Sequence, residues 1–420
     1  MSSIVEAAFA HAEEDFERPA LLFGDETISY GQLRADVTRF ADALTKTGLQ
    51  AGERVALFLG NGPAFVVAYL GTHLAGGIVV LVNTQYRQVE LSHILNDAAA
   101  RICVTSSESR ETLRPLSVPS LERVIIVDET TRQADANASS AEVLQQTFTN
   151  DSESIACSAF GEFLASGSAH ATFSLPLAET PALIGYTSGT TDLAKGALLL
   201  HRNLLANIRS LTNAWHWTDA DRLLLVLPLF HAHGLMVGMH GTLFTGGSVI
   251  IRQKFEASDV LAALKRDPTI TLFFGVPTMY IRLLVEAEQQ GAPERPLRLY
   301  VSGSAPLSAQ VFADFARVFG QPILERYGMT ETIMNLTNPY EGERRAGTVG
   351  GPFPNQEARV VDVQTCQLLP PGEIGEIEVR GPHVFAGYWK RPEATAEAFA
   401  EDGWFKTGDL GWCSGVQSVF

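Results

Sequence analysis

Tyr186-Thr187-Ser188-Gly189-Thr190-Thr191-Asp192-Leu193-Ala194-Lys195-Gly196 sets threonine and serine hydroxyls, glycines and one lysine between two apolar runs. Hydroxyls and the backbone N–H groups exposed at glycine can wrap phosphate oxygens, and a lysine adds a mobile positive charge. The segment reads as a polyphosphate grip. A polar hairpin turn is the alternative, because Gly, Ser, Thr and Asp are also ordinary turn residues. A Walker A loop needs Gly-Lys-Ser/Thr where this chain has Ala194-Lys195-Gly196. Its flanks differ as well: Ala182–Tyr186 and Ala197–Leu200 read as short apolar strands, whereas a Walker loop opens a helix. The expectation is strand, phosphate loop, strand, which sets aside P-loop kinases and GTPases.

On the N-terminal side, helical and strand patterns alternate. Tyr30–Leu49 and Pro63–Ala75 read as helices, and Arg54–Leu59, Ile78–Leu81, Arg101–Thr105 and Arg123–Val127 as strands. Such alternation predicts an α/β layer with a largely parallel sheet. Residues 129–180 turn polar and lose any period, which reads as a linker or surface excursion. Beyond the loop, Arg222–Leu227, Ser248–Arg252, Thr271–Val276 and Arg298–Ser302 read as strands. His201–Thr212, Ala257–Lys265, Thr278–Glu288 and Ser308–Phe319 read as helices, giving a second wound layer. From Ala346 onward, Ala358–Val363 and Gly375–Arg380 lie between tight turns and predict a small β-rich unit. The expected fold is α/β: two tandem doubly wound α/β subdomains at 1–180 and 181–345, a β-rich subdomain at 346–411, and an aberrant tail at 412–420.

The chain has 420 residues, 46% of them hydrophobic and 19% charged, which describes a globular protein with ample core. A net charge of -16 argues against a nucleic-acid partner, since phosphate-backbone binders carry an excess of Lys and Arg. Cys103, Cys157, Cys366 and Cys413 show no CxxC spacing, so reduced thiols are expected. An N-terminus with five acidic residues before Arg18 suits neither a secretory signal nor a transit peptide, and the expected address is cytoplasmic. Val66–Val82 contains Tyr69, His73 and three glycines and reads as helix then strand, not as a membrane span.

With His201-Arg202-Asn203-Leu204 after it, the phosphate loop resembles that of the adenylate-forming acyl-CoA synthetase family, as does the opening Thr27-Ile28-Ser29-Tyr30-Gly31-Gln32-Leu33. That family couples a carboxylic acid to ATP, releases pyrophosphate and passes the acyl-adenylate to the thiol of coenzyme A. Asp192 and Asn355 stand where the family usually has glycine. The resemblance implies that Thr187, Ser188, Gly189, Thr190, Thr191, Lys195 and Gly196 hold phosphates. It extends to Ser302-Gly303-Ser304-Ala305-Pro306-Leu307, where Gly303, Ser304 and Ala305 would let the base lie close to the backbone. In Leu324-Glu325-Arg326-Tyr327-Gly328-Met329-Thr330-Glu331-Thr332, Tyr327 would stack on adenine beside Gly328 and Met329, and Thr330 would donate to the α-phosphate. Glu331 would hold Mg2+, which prefers carboxylate plus phosphate oxygens. Trp404-Phe405-Lys406-Thr407-Gly408-Asp409-Leu410 resembles the ribose motif, with Asp409 accepting from both hydroxyls.

Pro228-Leu229-Phe230-His231-Ala232-His233-Gly234 follows a strand. A metal site is one reading of its two histidines, but no Cys, Asp or Glu partner stands nearby in sequence. The family places an aromatic and a histidine here against the acid, which points to His231. Gly275–Leu284 and Met334–Gly342 resemble the malonyl-CoA synthetase branch, in which Arg282 would take the second carboxylate of a dicarboxylic acid; guanidinium meets a carboxylate bidentately. On these grounds the expected activity is an ATP-dependent acid–thiol ligase that adenylates malonate, with Thr187, Lys195, His231 and Glu331 as catalytic residues. The substrates are then the acid, ATP and CoA. Alternatives are a ligase for a short or medium monocarboxylic acid, and a non-catalytic nucleotide-binding remnant. The likeness stops near Gly411, so a truncated member with impaired turnover is expected.

Overall fold

The computed structural model describes residues 1–128, 148–150, 153–187 and 193–414. They form two compact units. One comprises Met1–His201 with Leu229–His231 and Ala386–Lys390, and the other comprises Arg202–Pro228, Ala232–Phe385 and the residues from Arg391 onward.

The first unit opens with a helix, Ile4–Glu14, capped by the Ser3 hydroxyl, and a hairpin of β1 (Pro19–Phe23) and β2 (Glu26–Ser29). Ser29 caps the next helix, Tyr30–Lys46, by accepting from the Gln32 N–H at 3.1 Å. Its main sheet contains β3 (Arg54–Phe58), β4 (Ile78–Leu81), β5 (Ala100–Ser106), β6 (Arg123–Val127), β7 (Phe148–Asn150), β8 (Glu153–Ala159), β9 (Pro181–Thr187), β10 (Lys195–Leu200) and β20 (Gly387–Tyr388). The spatial order is β20-β10-β9-β4-β3-β5-β6-β8-β7. From β9 to β8 the strands run parallel. Parallel strands are covered on both faces, which explains why β4 reads as an unbroken apolar run without alternation. Pro63 starts the helix Pro63–Leu74. In that helix Gly71 lets Phe40 approach so closely that an added Cβ would stand 2.8 Å from its ring.

Two sequence expectations change here. The stretch 129–180 is not wholly linker, because β8 pairs in parallel with β6 and Phe160–Ala165 is helical. The polar residues of β8 hid it: Ser154 and Ser158 interrupt the apolar signal, although Ile155 is buried. Residues 166–180 carry neither helix nor strand, and 129–147 lie outside the described residues. The boundary expected at 181 moves to His201, because β9 pairs with β4 (Val79 opposite Leu183) and buries Ala182–Ile184 in the first unit.

In the second unit, β11 (Arg222–Leu225), β12 (Ser248–Ile251), β13 (Leu272–Gly275), β14 (Leu299–Ser302) and β15 (Leu324–Tyr327) run parallel in the order β12-β11-β13-β14-β15. Antiparallel β16 (Leu336–Thr337) and β17 (Gly351–Pro352) extend it beyond β15. The helices Ala257–Arg266, Pro277–Gln290 and Ala309–Phe319 alternate with the strands; Pro277 opens the second and Ser308 caps the third. Asp221, almost fully buried, ties the strand starts together: it accepts from Arg298 Nε and Nη2 at 2.7 and 2.8 Å, from Thr271 Oγ1 at 2.7 Å and from the Thr218 N–H at 2.9 Å. Its charge is thereby matched. The β-rich region is an antiparallel sheet of β18 (Glu357–Val361), β19 (Gly375–Arg380) and β21 (Phe405–Gly411) in that order. Asn355 has φ +65°, a left-handed backbone that asparagine tolerates well.

Candidate active site

Antiparallel pairing of β9 and β10 sets Lys195 opposite Thr187 and Gly196 opposite Tyr186. The two strands thus set Thr187 and Lys195 opposite each other, at the two ends of the segment that joins β9 to β10. Lys195 Nζ lies 5.4 Å from the Tyr388 ring centroid, a cation–π contact. Tyr186 donates its hydroxyl to Asp97 Oδ2 at 2.8 Å, and the Asp97 carbonyl accepts from Trp389 Nε1 at 3.3 Å and Lys390 Nζ at 3.2 Å. At the return of the loop, a His93 ring nitrogen meets the Ala194 carbonyl at 2.8 Å. A side chain at Gly196 would crowd the neighbouring strand, since an added Cβ would stand 2.7 Å from Ile184 Cγ2. Ser188, Gly189, Thr190, Thr191 and Asp192 lie outside the described residues.

In the second unit the groups cluster at the C-terminal ends of β14 and β15, where α/β sheets present ligand sites. Tyr327, the last residue of β15, donates to Asp409 Oδ2 at 2.5 Å. Burial and that carboxylate raise the phenol above its ordinary pKa. Asp409 is exposed, and its N–H is held by Thr407 Oγ1 at 3.1 Å, which itself donates to the Ile377 carbonyl at 2.6 Å. After Tyr327 the chain reverses tightly: the N–H groups of Thr332 and Ile333 meet the Met329 carbonyl at 3.2 and 2.7 Å. A Cβ on Gly328 would lie 2.0 Å from the Ile333 carbonyl oxygen, so only glycine fits. The turn leaves Met329 and Thr330 partly exposed and buries Glu331, whose carbonyl accepts from the Phe385 N–H at 2.8 Å.

Beyond β14, Ser304 has φ +68°, uncommon for a non-glycine residue, and Ser304 and Ala305 are exposed. Beneath them Glu325 accepts from the Leu307 N–H through Oε1 at 2.7 Å, and burial lifts its carboxyl to about 6. Ser304 Oγ lies 3.5 Å from Nδ1 of His233. His233 opens a π-helical turn, His233–Met239, a form that recurs at functional sites. It is buried and stacks on Phe274 with ring centroids 6.1 Å apart; burial, and then the charge of Arg326, hold its pKa well below the ordinary value.

Of the two histidines, then, the structure brings His233 to Ser304. His231 is exposed, with its ring 4.7 Å from that of Phe230. The signal that separates them is burial, invisible in a His-Ala-His triplet. Arg282 sits on the helix Pro277–Gln290, half exposed, with Nη2 3.6 Å from Glu256 Oε2 and its guanidinium 5.0 Å from the Phe255 ring centroid. Arg326, for which the sequence motif gives no role, is buried beside His233 and against Gly303. Among the described residues, no group of three or more His, Cys, Asp or Glu is placed to hold a metal by itself.

A family model described as AMP-binding enzyme matches residues 8–389. The chain is 33% identical to a malonate–CoA ligase of Arabidopsis thaliana over 98% of its own length and 68% of that protein. It is 32% identical to a long-chain-fatty-acid–CoA ligase of Bacillus subtilis, covering 94% of this chain and 72% of that one. Among solved structures, ATP-bound MatB from Rhodopseudomonas palustris superposes with a TM-score of 0.84 at 35% identity, over 100% of this chain and 78% of that one. A family model that matches residues 8–389, with a relative 33% identical along 98% of the chain, has one meaning: this chain belongs to the AMP-binding enzyme family.

Proposed function

We propose that the chain is an acid–CoA ligase that adenylates malonate, or a close dicarboxylate, with ATP. The Tyr327–Asp409 hydrogen bond carries the nucleotide reading, because it unites two motifs 82 positions apart into one aromatic face and one fixed carboxylate. An aromatic ring stacks on adenine, and a carboxylate accepts from both ribose hydroxyls. The acid class is supported by the likeness to a malonate–CoA ligase along nearly the whole chain.

In the reaction so assigned, a carboxylate oxygen of the acid attacks the α-phosphorus of ATP. The bond to the β-phosphate oxygen breaks and pyrophosphate departs. The CoA sulfur then attacks the acyl carbon, its proton is lost, and AMP leaves with the oxygen that came from the acid. Little covalent work falls to the protein, so its side chains position groups and neutralise charge. Lys195 and Thr187, with the loop they flank, hold the departing pyrophosphate. Thr330 donates to the α-phosphate, and Ser304 orients the acid while His233, kept neutral by burial, fixes the Ser304 hydroxyl. Met329 and Ala305 line the approach to the base.

Magnesium fits this site through Glu331. A single buried carboxylate, in a chain with no all-protein metal cage among the described residues, matches an ion that takes its other ligands from phosphate and water. When bound, the ion neutralises phosphate charge. A cytoplasmic address is part of the same reading, supported by four free cysteines; among the described residues no helix is long and apolar enough to cross a membrane.

Pyrophosphate–ATP exchange with malonate, acetate and octanoate tests the proposal. Exchange that depends on malonate supports it. Equal exchange with octanoate moves the substrate to monocarboxylic acids.

A further inference from the structure

The segment Gly303-Ser304-Ala305-Pro306 leaves the sheet and returns to it at a single residue of the neighbouring strand. It leaves beside Glu325, which stands opposite Ser302 in the parallel register of β14 and β15. It returns where the Leu307 N–H donates to Glu325 Oε1 at 2.7 Å, a buried hydrogen bond. Pro306 has no N–H to offer, and Ser304, Ala305 and Pro306 are exposed, so Leu307 is the first buried residue after Gly303. Ser308 then caps the helix Ala309–Phe319, which fixes the segment on that side as well. Within this span Ser304 sits at φ +68°, a conformation that costs a non-glycine residue free energy and lasts only where its surroundings impose it.

Strand alternation puts Glu325 on the same face of β15 as Tyr327, the last residue of that strand. One strand thus carries both the ring assigned to adenine and the tether for the segment whose Gly303, Ser304 and Ala305 are assigned to lie along the base. The spacing of these two walls is set by the reach of a glutamate side chain. Stability does not explain the choice of residue. Glu325 is 4% exposed, its Oε2 has no hydrogen-bond partner among the described residues, and burial lifts its carboxyl to about 6. A carboxyl so placed costs the fold free energy, and local conflicts of this kind collect at functional sites.

We infer that Glu325 is a positioning residue for the nucleotide: through the Leu307 N–H it holds Gly303–Pro306 at the spacing from Tyr327 that an adenine ring fills. This inference rests on the nucleotide reading given above. Two variants of the full 420-residue chain separate reach from charge. Glu325→Gln keeps an acceptor oxygen at the same reach and loses the charge, whereas Glu325→Asp keeps the charge and falls one methylene short. The readout is calorimetric titration with ATP and with inorganic tripolyphosphate, a probe that has no base. Glu325→Asp should weaken ATP binding by about 10- to 100-fold, the range for a hydrogen bond to a charged group, and leave tripolyphosphate binding as in the parent. Glu325→Gln should bind both as the parent does. Ser308→Ala loses the helix cap beside the same segment but keeps the tether, so it should melt lower than the parent and still bind ATP equally well. Unchanged ATP binding in Glu325→Asp, equal losses of ATP and tripolyphosphate in that variant, or an ATP loss as large in Glu325→Gln or Ser308→Ala overturns the inference. Asp409→Ala tells the two kinds of failure apart. If it too leaves ATP binding unchanged, the nucleotide reading falls and the inference with it; if it weakens ATP binding while Glu325→Asp does not, the inference alone falls.

Discussion

Tyr327 donates its hydroxyl to Asp409 Oδ2 at 2.5 Å, joining the end of β15 to a strand of the small antiparallel sheet. That bond fixes the carboxylate without using its second oxygen. Asp409→Ala should weaken ATP binding by about 10- to 100-fold, the range for hydrogen bonds to a charged group. Tyr327→Phe keeps the stacking ring and frees the carboxylate, so its loss should be smaller. Calorimetric titration with ATP checks both.

Lys195→Met should reduce malonate-dependent exchange by about 100- to 1000-fold, as when one charge-stabilising group is removed from a transition state. Folding should hardly notice, because the lysine's cation–π contact with Tyr388 is worth only about 0.5–1 kcal/mol at a partly exposed site. Parallel melting curves and exchange rates separate the two effects.

Much of this was legible in the sequence where the signal was local. Thr187 to Gly196 announced a strand, loop, strand arrangement because apolar runs flanked a hydroxyl and glycine cluster, and β9 and β10 are those strands. Tyr327 and Asp409 were legible as family motifs, though not as a bonded pair. What was not legible depends on burial and on long-range pairing. His233 and Arg326 take their meaning from a π-helical turn and from the close approach of Gly303. Neither leaves a period in the chain. Strand β8 was hidden because a strand one position from the sheet's end can carry serines without a continuous apolar run.

Glu325 makes stability depend on pH in a stated direction. Its carboxyl is lifted from 4.5 to about 6 by burial, so between those values the folded chain holds a proton the unfolded chain has released. The contribution is fully present below 4.5 and is lost as pH rises through 6. His201 and His383, held neutral by burial down to about 4 and 3 against an ordinary 6.5, act with the opposite sign: their contribution is lost as pH falls through those values. Glu325→Gln should therefore gain up to about 2 kcal/mol over the parent at pH 7, and the gain should vanish by pH 4. Urea unfolding of both proteins across that range isolates the carboxyl from the histidines.

Asp221→Ala should destabilise the chain by about 3–5 kcal/mol, because it leaves the Nε and Nη2 edge of Arg298 without its carboxylate and takes the 2.7 Å acceptor from Thr271 Oγ1. Asp221→Asn keeps the shape and loses only the charge, so it should cost less. Denaturant midpoints at constant slope are the readout.

Oxygen-18 transfer tests the adenylation claim most directly. With malonate labelled in its carboxylates, ATP and CoA, the AMP released by the protein should carry one labelled oxygen, delivered when the acid attacked the α-phosphorus. Unlabelled AMP, or ADP as the nucleotide product, would contradict the account.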